Sequence, residues 1–165
     1  MVFDKIEDLR EAIARRVAQA APEAQVIRDP LWVRREPGDQ RPVVSVLVDS
    51  IQTRKLGLTD YLGLGEQPDR PPGERYGKEV TLGLRLDIYH RQGGQECYQL
   101  FAALGQALML EGFSPALDSL ICGDAAYDRS AGAFHLVCRG QLRGCLGVSY
   151  PDLPLDSLEI RRMTT

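Results

Sequence analysis

The chain has 165 residues, 44% of them hydrophobic, which is enough for one domain with a substantial core and too few for two comfortable ones. Its net charge of −3 provides no broad basic field, so bulk nucleic acid and anionic membranes are poor partners. The first residues, MVFDKIEDLR, are acidic where a signal peptide is basic and apolar, and no apolar run approaches a membrane span, so we expect a soluble protein that stays where it is made.

The first predicted element is an amphipathic helix that ends at Pro22. Apolar residues recur at the three-and-four spacing of one helical face, at Ile6, Leu9, Ile13 and Val17. Such a stripe has to pack against a sheet or another helix.

Two strands are predicted next, on either side of a long segment. Residues 43–49, VVSVLVD, are dense in β-branched side chains, which is typical of a buried strand. In residues 80–88 apolar side chains alternate without a break with polar or small ones. One face of this second strand is therefore buried in the core, and the other is exposed to solvent or contacts another surface.

The last third of the chain predicts a second helix and a hairpin. Residues 94–111 return to the helical period, with Cys97, Leu104 and Leu108 on one stripe. Two extended segments, 117–128 and 134–146, follow and are joined by RSAG, which is typical of a turn. This element order favours an α+β fold with an antiparallel sheet of about four to five strands and two helices packed on one face. We expect one domain over residues 1–147, with an inserted arm at about 52–77, and a C-terminal tail at 148–165.

The four cysteines form no C-x-x-C pair, and each lies inside a predicted helix or strand. They are Cys97, Cys122, Cys138 and Cys145. This spacing is typical neither of a zinc site nor of a disulfide scaffold, so buried free thiols in a reducing cytoplasm are expected.

No other residues form a catalytic, cofactor or metal pattern. His90 and His135 are expected to be edge-strand or surface histidines, and the carboxylates scatter over a helix face and a loop. The sequence also lacks a phosphate-binding loop with the required glycine and lysine spacing. We therefore predict a protein that is not an enzyme and has no catalytic residue, cofactor or metal.

The long segment LTDYLGLGEQPDRPPGERYG, residues 58–77, is rich in glycine and proline and is predicted to be a loop without structure of its own. Loops of this length are usually lids, binding arms or disordered segments. Its leucines and tyrosines would be costly to leave in water, so an arm that packs on another protein is favoured; a loop folded back over its own sheet is the alternative. The predicted interface residues in and beside it are Arg54, Lys55, Leu58, Tyr61, Leu62, Leu64, Arg70, Arg75 and Tyr76.

Taken in order, these features resemble a known family. The stretches LREAIARRVAQAAPEAQV, RPVVSVLVDSIQ, the arm, and YGKEVTLGLRLDIYHRQGGQECYQLFAALGQAL are similar to the tail terminator and tail completion proteins of long-tailed bacteriophages and prophages, over residues 4–146. The resemblance implies a structural subunit of a ring, commonly a hexamer, that ends tail-tube growth and joins the tail to the head connector. The arm and the polar strand face of Arg85, Asp87 and Tyr89 would then contact neighbouring subunits or line a channel.

The same resemblance implies the partners and the location. The partners would be further copies of the chain, the tail-tube protein and the head connector, without sequence-specific nucleic acid binding and without a membrane. The protein would be assembled in the host bacterial cytoplasm and end in the virion tail or a phage-like particle. An alternative from another class is a small bacterial ligand-binding or regulatory module with the 52–77 loop as a lid. That module requires an apolar pocket beside Tyr61 and Tyr76.

Overall fold

One mixed β-sheet with two helices on one face organises the chain. The computed structural model describes residues 2–3, 5–28, 40–55, 57, 60–67, 70–110 and 117–150. The elements are β1 (Val2–Phe3), α1 (Ile6–Ala20), β2 (Gln25–Ile27), β3 (Val43–Lys55), β4 (Tyr61–Gln67), β5 (Arg70–His90), α2 (Gly94–Gly105) with a π-helical turn (Gln106–Leu110), β6 (Leu117–Cys122), β7 (Ala126–Asp128) and β8 (Ala133–Tyr150). The predicted α+β class and the two helices are confirmed.

The sheet has eight strands, more than the four to five predicted. Its main path runs β1-β8-β5-β3-β2, and β4, β6 and β7 pair beside it. Most pairs are antiparallel as predicted, but β1 with β8 and β2 with β3 are parallel. These two edge strands have two and three residues, too few for an alternating pattern to appear in the sequence. Because they lie at opposite ends of the path and α1 joins them, α1 crosses the whole sheet.

The core lies between the helices and one face of β3, β5 and β8. On β5 the predicted alternation is confirmed, since the side chains from Val80 to Ile88 at even positions are all buried. Their neighbours across the ladders, such as Val46 on β3 and Cys138 on β8, are buried with them. The predicted stripes of α1 and α2 supply the other side, with Ile13 and Leu104 almost fully buried.

The segment at 52–77, predicted to be a loop, is mostly strand in its described residues, so this part of the prediction was wrong. β3 continues to Lys55, and β4 pairs with the outer half of β5 in a hairpin that closes at Gln67↔Arg70. The glycines and prolines of this segment favoured a loop in the sequence prediction. In the structure, pairing with the neighbouring strands overrides that local preference. We call the outer sheet the ribbon: β4 with residues 51–55 of β3, 70–79 of β5 and 144–150 of β8. The predicted boundary at residue 148 falls inside β8, and residues 151–165 lie outside the described part of the chain.

Two local features join β4 to the sheet. Asp60 adopts a left-handed backbone conformation with φ of 54°. Its carbonyl accepts a hydrogen bond of 2.8 Å from the Gly77 N–H, and its carboxylate forms an ion pair with Lys78. At Gly77 a β-carbon would collide with the backbone carbonyl of Leu146 and come within 3.0 Å of the Gly147 Cα. The close approach of β5 and β8 in the ribbon therefore requires glycine at this position.

Replacing this glycine should weaken the ribbon. We expect Gly77→Ala to lower the free energy of unfolding by about 1–3 kcal/mol, because the added methyl group forces the two backbones apart. Gly57→Ala is the matched control, since a β-carbon there meets nothing within 4 Å. Urea denaturation measures both, and hydrogen exchange locates the change in β5 and β8. Equal stability of the two variants would contradict the close approach.

Candidate functional site

The ribbon carries an apolar patch that the helices do not cover. The patch consists of Ile51, Tyr61, Leu64 and Tyr76, with exposed fractions of 67% for Leu64, 50% for Ile51 and 43% for Tyr61. Tyr76 is in β5, and the other three lie opposite β5 residues. Ile51 is opposite Leu82, Tyr61 is opposite Tyr76 and Leu64 is opposite Glu74. These β5 positions are all even-numbered, as are the buried residues further along the strand that face the helices. The patch is therefore the continuation of the core face beyond the helices.

The two tyrosines of this ribbon patch hold each other in place. Tyr61 lies opposite Tyr76, and their rings make an edge-to-face contact with centroids 5.5 Å apart. The Tyr76 hydroxyl donates a 2.7 Å hydrogen bond to Glu74, which together with partial burial raises the pKa of Tyr76 above its ordinary value. Paired aromatic rings lose little conformational freedom on association, so they are suited to anchor a contact.

Charged side chains lie on both faces of the ribbon. Arg54 and Lys55 are exposed at the end of β3, where they lie opposite Glu79 and Lys78. Arg75 is half-buried within the ribbon. Lys55 shares the face of the apolar patch because it lies opposite Lys78, whereas Arg54 and Arg75 have the parity of the other face.

A polar cluster occupies the other face of the sheet, at the inner end of β5. The Asp87 residue is 5% exposed, and its carboxylate accepts hydrogen bonds from Arg85 Nη2 at 3.0 Å and His135 Nε2 at 3.0 Å. Arg85 Nε lies 3.0 Å from the second carboxylate oxygen. The His135 ring stacks on Tyr89 with centroids 4.3 Å apart and planes within 4°.

Two opposing effects set the protonation of Asp87. Burial is the largest and raises the pKa of its carboxyl group, but the hydrogen bonds from His135 and Arg85, with their charges, outweigh it. The pKa of Asp87 therefore lies below its ordinary value, and the carboxylate stays ionised between its two partners. An ionised, doubly bonded carboxylate fixes the side chains of β5 and β8 relative to each other and has little capacity left to accept a proton from a substrate.

Described residues also line two shallow depressions on this face. One, of about 300 Å³, lies between Arg85 and Arg139 beside Cys122. The other, of about 260 Å³, lies beside Asp49 and also touches Arg139. Neither adjoins Tyr61 or Tyr76, where the lid alternative requires a pocket. Among the described residues no three histidine, cysteine or acidic side chains converge as metal ligands, and no described helix is long and apolar enough to cross a membrane.

The predicted interface residues fall into two separate groups. Tyr61, Leu64 and Tyr76 come together on one face of the ribbon, and Leu62 lies beside Gly77 in the ribbon. The second group, Arg85, Asp87 and Tyr89, lies on the inner part of β5. Tyr76 and Asp87 are eleven positions apart on one strand, which is about 36 Å at 3.3 Å per residue. Leu58 lies outside the described residues, and Arg70 is placed in β5 without a described side chain.

The sequence prediction for His135 was wrong. His135 is in a strand that has partners on both sides, opposite Tyr89 on β5 and Ala126 on β7, and its side chain is 21% exposed. The signal that could have found it is its parity in β8, which puts it on the face opposite the buried Leu136. His90 is half-buried at the end of β5, where Nδ1 accepts a hydrogen bond from the Gln92 N–H.

Removing the Asp87 charge should change stability and its dependence on pH. We expect Asp87→Asn to lower the free energy of unfolding near neutral pH by roughly 1–3 kcal/mol. Because the folded pKa of Asp87 is depressed, its contribution is fully present above the unfolded value of about 4 and is lost as pH falls through the folded pKa. The wild type should therefore lose this contribution on acidification, and the variant should not. Urea denaturation over an acidic pH series, with the exposed Asp124→Asn as control, checks this; parallel acid curves for wild type and Asp87→Asn would contradict it.

Comparison with known proteins gives a likeness of fold. No protein-family model matches the chain, and no curated protein matches it. Among solved structures it is similar to the PVC sheath/tube terminator of an extracellular contractile injection system in the extended state, with a TM-score of 0.53 and 10% sequence identity. The match covers 98% of this chain and 65% of the other, so this chain spans about two-thirds of the terminator's length. The chain therefore has a fold similar to that of this sheath/tube terminator.

Proposed function

We propose that this protein is a structural subunit of a phage tail or phage-like particle, where it ends growth of the tail tube and joins the tail to the head connector. The observation that carries the proposal is the exposed ribbon patch, an apolar surface that projects beyond the core. The fold likeness to a sheath/tube terminator over 98% of the chain supports the same role. In this role the protein is assembled in the host bacterial cytoplasm and ends in the particle.

The ribbon patch explains how such subunits would associate. Leu64, Ile51 and Tyr61 each keep a large part of their surface in water, and covering apolar area yields about 25 cal/mol per Å². A patch on an extension of one subunit that fits a different surface of the next makes a head-to-tail contact, which closes into a ring when the rotation permits. We propose such a ring of identical subunits, a hexamer by the resemblance of the sequence. The tail-tube and head-connector proteins are its further partners.

We propose a supporting role for the polar cluster and no catalytic role. The Asp87 and His135 side chains resemble part of a catalytic set, but Asp87 is buried and ionised between His135 and Arg85. Arg85 compensates the carboxylate charge, so this face of β5 is only mildly charged. A mildly charged sheet face is suited to a subunit contact or to a channel through which DNA slides, because tight phosphate contacts would retard the polymer. The cluster keeps such a face rigid.

Substitutions at two exposed leucines separate this proposal from a general effect of surface hydrophobicity. We expect Leu64→Ser to weaken self-association about tenfold, as loss of one apolar anchor removes about 1.4 kcal/mol. Leu110→Ser is the matched control, because Leu110 is also exposed, at 78%, but lies in the π-helical turn after α2 and is not part of the ribbon. Size-exclusion chromatography with light scattering over a concentration series measures both variants.

The wild type should form one closed oligomer of defined mass, and Leu110→Ser should keep it. A wild type that stays monomeric at high concentration and does not bind tail tubes would contradict the proposed function. So would equal weakening by the two leucine substitutions.

A further inference from the structure

Two cysteines lie directly opposite each other on neighbouring strands. In the β6·β8 ladder Cys122 pairs with Cys138, and both are free thiols. The next residue, Gly123, donates its N–H to the Val137 carbonyl at 3.0 Å. In an antiparallel ladder hydrogen-bonded and non-hydrogen-bonded pairs alternate, so Gly123–Val137 is a hydrogen-bonded pair and Cys122–Cys138 a non-hydrogen-bonded one.

This position determines the distance between the two cysteines. Residues of a non-hydrogen-bonded pair have α-carbons about 4.5 Å apart, and their side chains project from the same face of the sheet. A disulfide requires α-carbons about 4.4–6.8 Å apart. The two thiols can therefore be joined without movement of either strand. Cys145 has no such partner, since it lies opposite Glu79 on β5 and Val2 on β1.

The two thiols differ in accessibility. Cys138 is fully buried, and burial, together with the neighbouring Cys122, raises the pKa of its thiol to about 12. Cys122 is only half-buried, at the margin of the core. A small oxidant therefore meets Cys122 before it meets the fully buried Cys138.

We propose that Cys122 and Cys138 form a disulfide site that closes when the protein meets a peroxide. The Cys122 thiol gives up its proton, its thiolate attacks one peroxide oxygen and the O–O bond breaks. Cys122 becomes a sulfenic acid, and the departing hydroxide takes up the released proton and leaves as water. The Cys138 sulfur then attacks the Cys122 sulfur, the S–O bond breaks, and the Cys138 proton leaves with the hydroxide as a second water. Two thiols are oxidised and one hydrogen peroxide is reduced to two waters.

The disulfide would close a loop that contains all of β7. Residues 123–137 lie between the two cysteines, so the bond would fix β6 to β8 around the β7–β8 turn. A loop of this size restricts the unfolded chain considerably. The thiols stay reduced in a cytoplasm and become oxidised in an extracellular or other oxidising setting. The site rests on the β6·β8 register and not on the proposed tail role.

Mass spectrometry of the folded full-length chain before and after treatment with hydrogen peroxide tests the proposal. When each sample is then unfolded for alkylation, we expect four alkylatable thiols without peroxide and two after it, a loss of two hydrogen masses, and a cross-linked peptide pair that contains Cys122 and Cys138. The melting temperature should rise by about 5–10 °C and return with dithiothreitol.

Three single substitutions make the result specific. Cys145→Ser is the matched control, because Cys145 is also half-buried, and it should keep both the cross-link and the rise in melting temperature. Cys97→Ser should keep them too, whereas Cys122→Ser should lose both. Four free thiols after peroxide treatment of the folded wild type would overturn the proposal. A link of Cys97 to Cys138, or a disulfide between two chains on a non-reducing gel, would also overturn it.

Discussion

The continuous pairing of β5 with β8 is the constraint on which the rest of the structure depends. It runs without a register shift from Glu74↔Tyr150 to His90↔Phe134. This one register sets His135 beside Asp87 at the inner end, and it brings Gly77 against Gly147 at the outer end. It also leaves the second edge of β8 available for pairing with β6 and β7. A slip by one residue would turn every buried leucine of β5 to the wrong face.

The ribbon patch follows from the lengths of the elements. β5 has 21 residues, which is about 70 Å as a strand, whereas α1 with 15 residues and α2 with 12 are about 22 and 18 Å long. The helices therefore cannot cover the whole sheet, and the face beyond them keeps its apolar side chains in water. A monomer gains nothing from Leu64 at such a position. Leu64 would contribute to stability only in a subunit whose ribbon is covered by another polypeptide.

The sequence was informative where a pattern is local and uninformative where it depends on register. Alternation in residues 80–88 and the stripe of Ile13 and Val17 predicted the core and both helices, because burial repeats with the period of the element. The ribbon was missed, since its glycines and prolines are typical of loops and only ladder partners make them strands. His135 was misjudged, and the pairing of Cys122 with Cys138 was not predicted, for the same reason: the neighbours of both residues are distant in sequence. Leu64 stays a predicted interface residue, and its exposure fits that prediction, which rested on an apolar residue in a polar context and needed no register.

The central claim is that the ribbon patch is covered by another polypeptide in the assembled particle. Hydrogen–deuterium exchange of the isolated chain and of its assembled oligomer measures this directly, with a peptide from α1 as internal reference. The account predicts that amides around Tyr61, Leu64 and Tyr76 exchange much more slowly in the assembly while those of α1 do not change. Equal exchange of the ribbon in both states, in an oligomer that has formed, would contradict it.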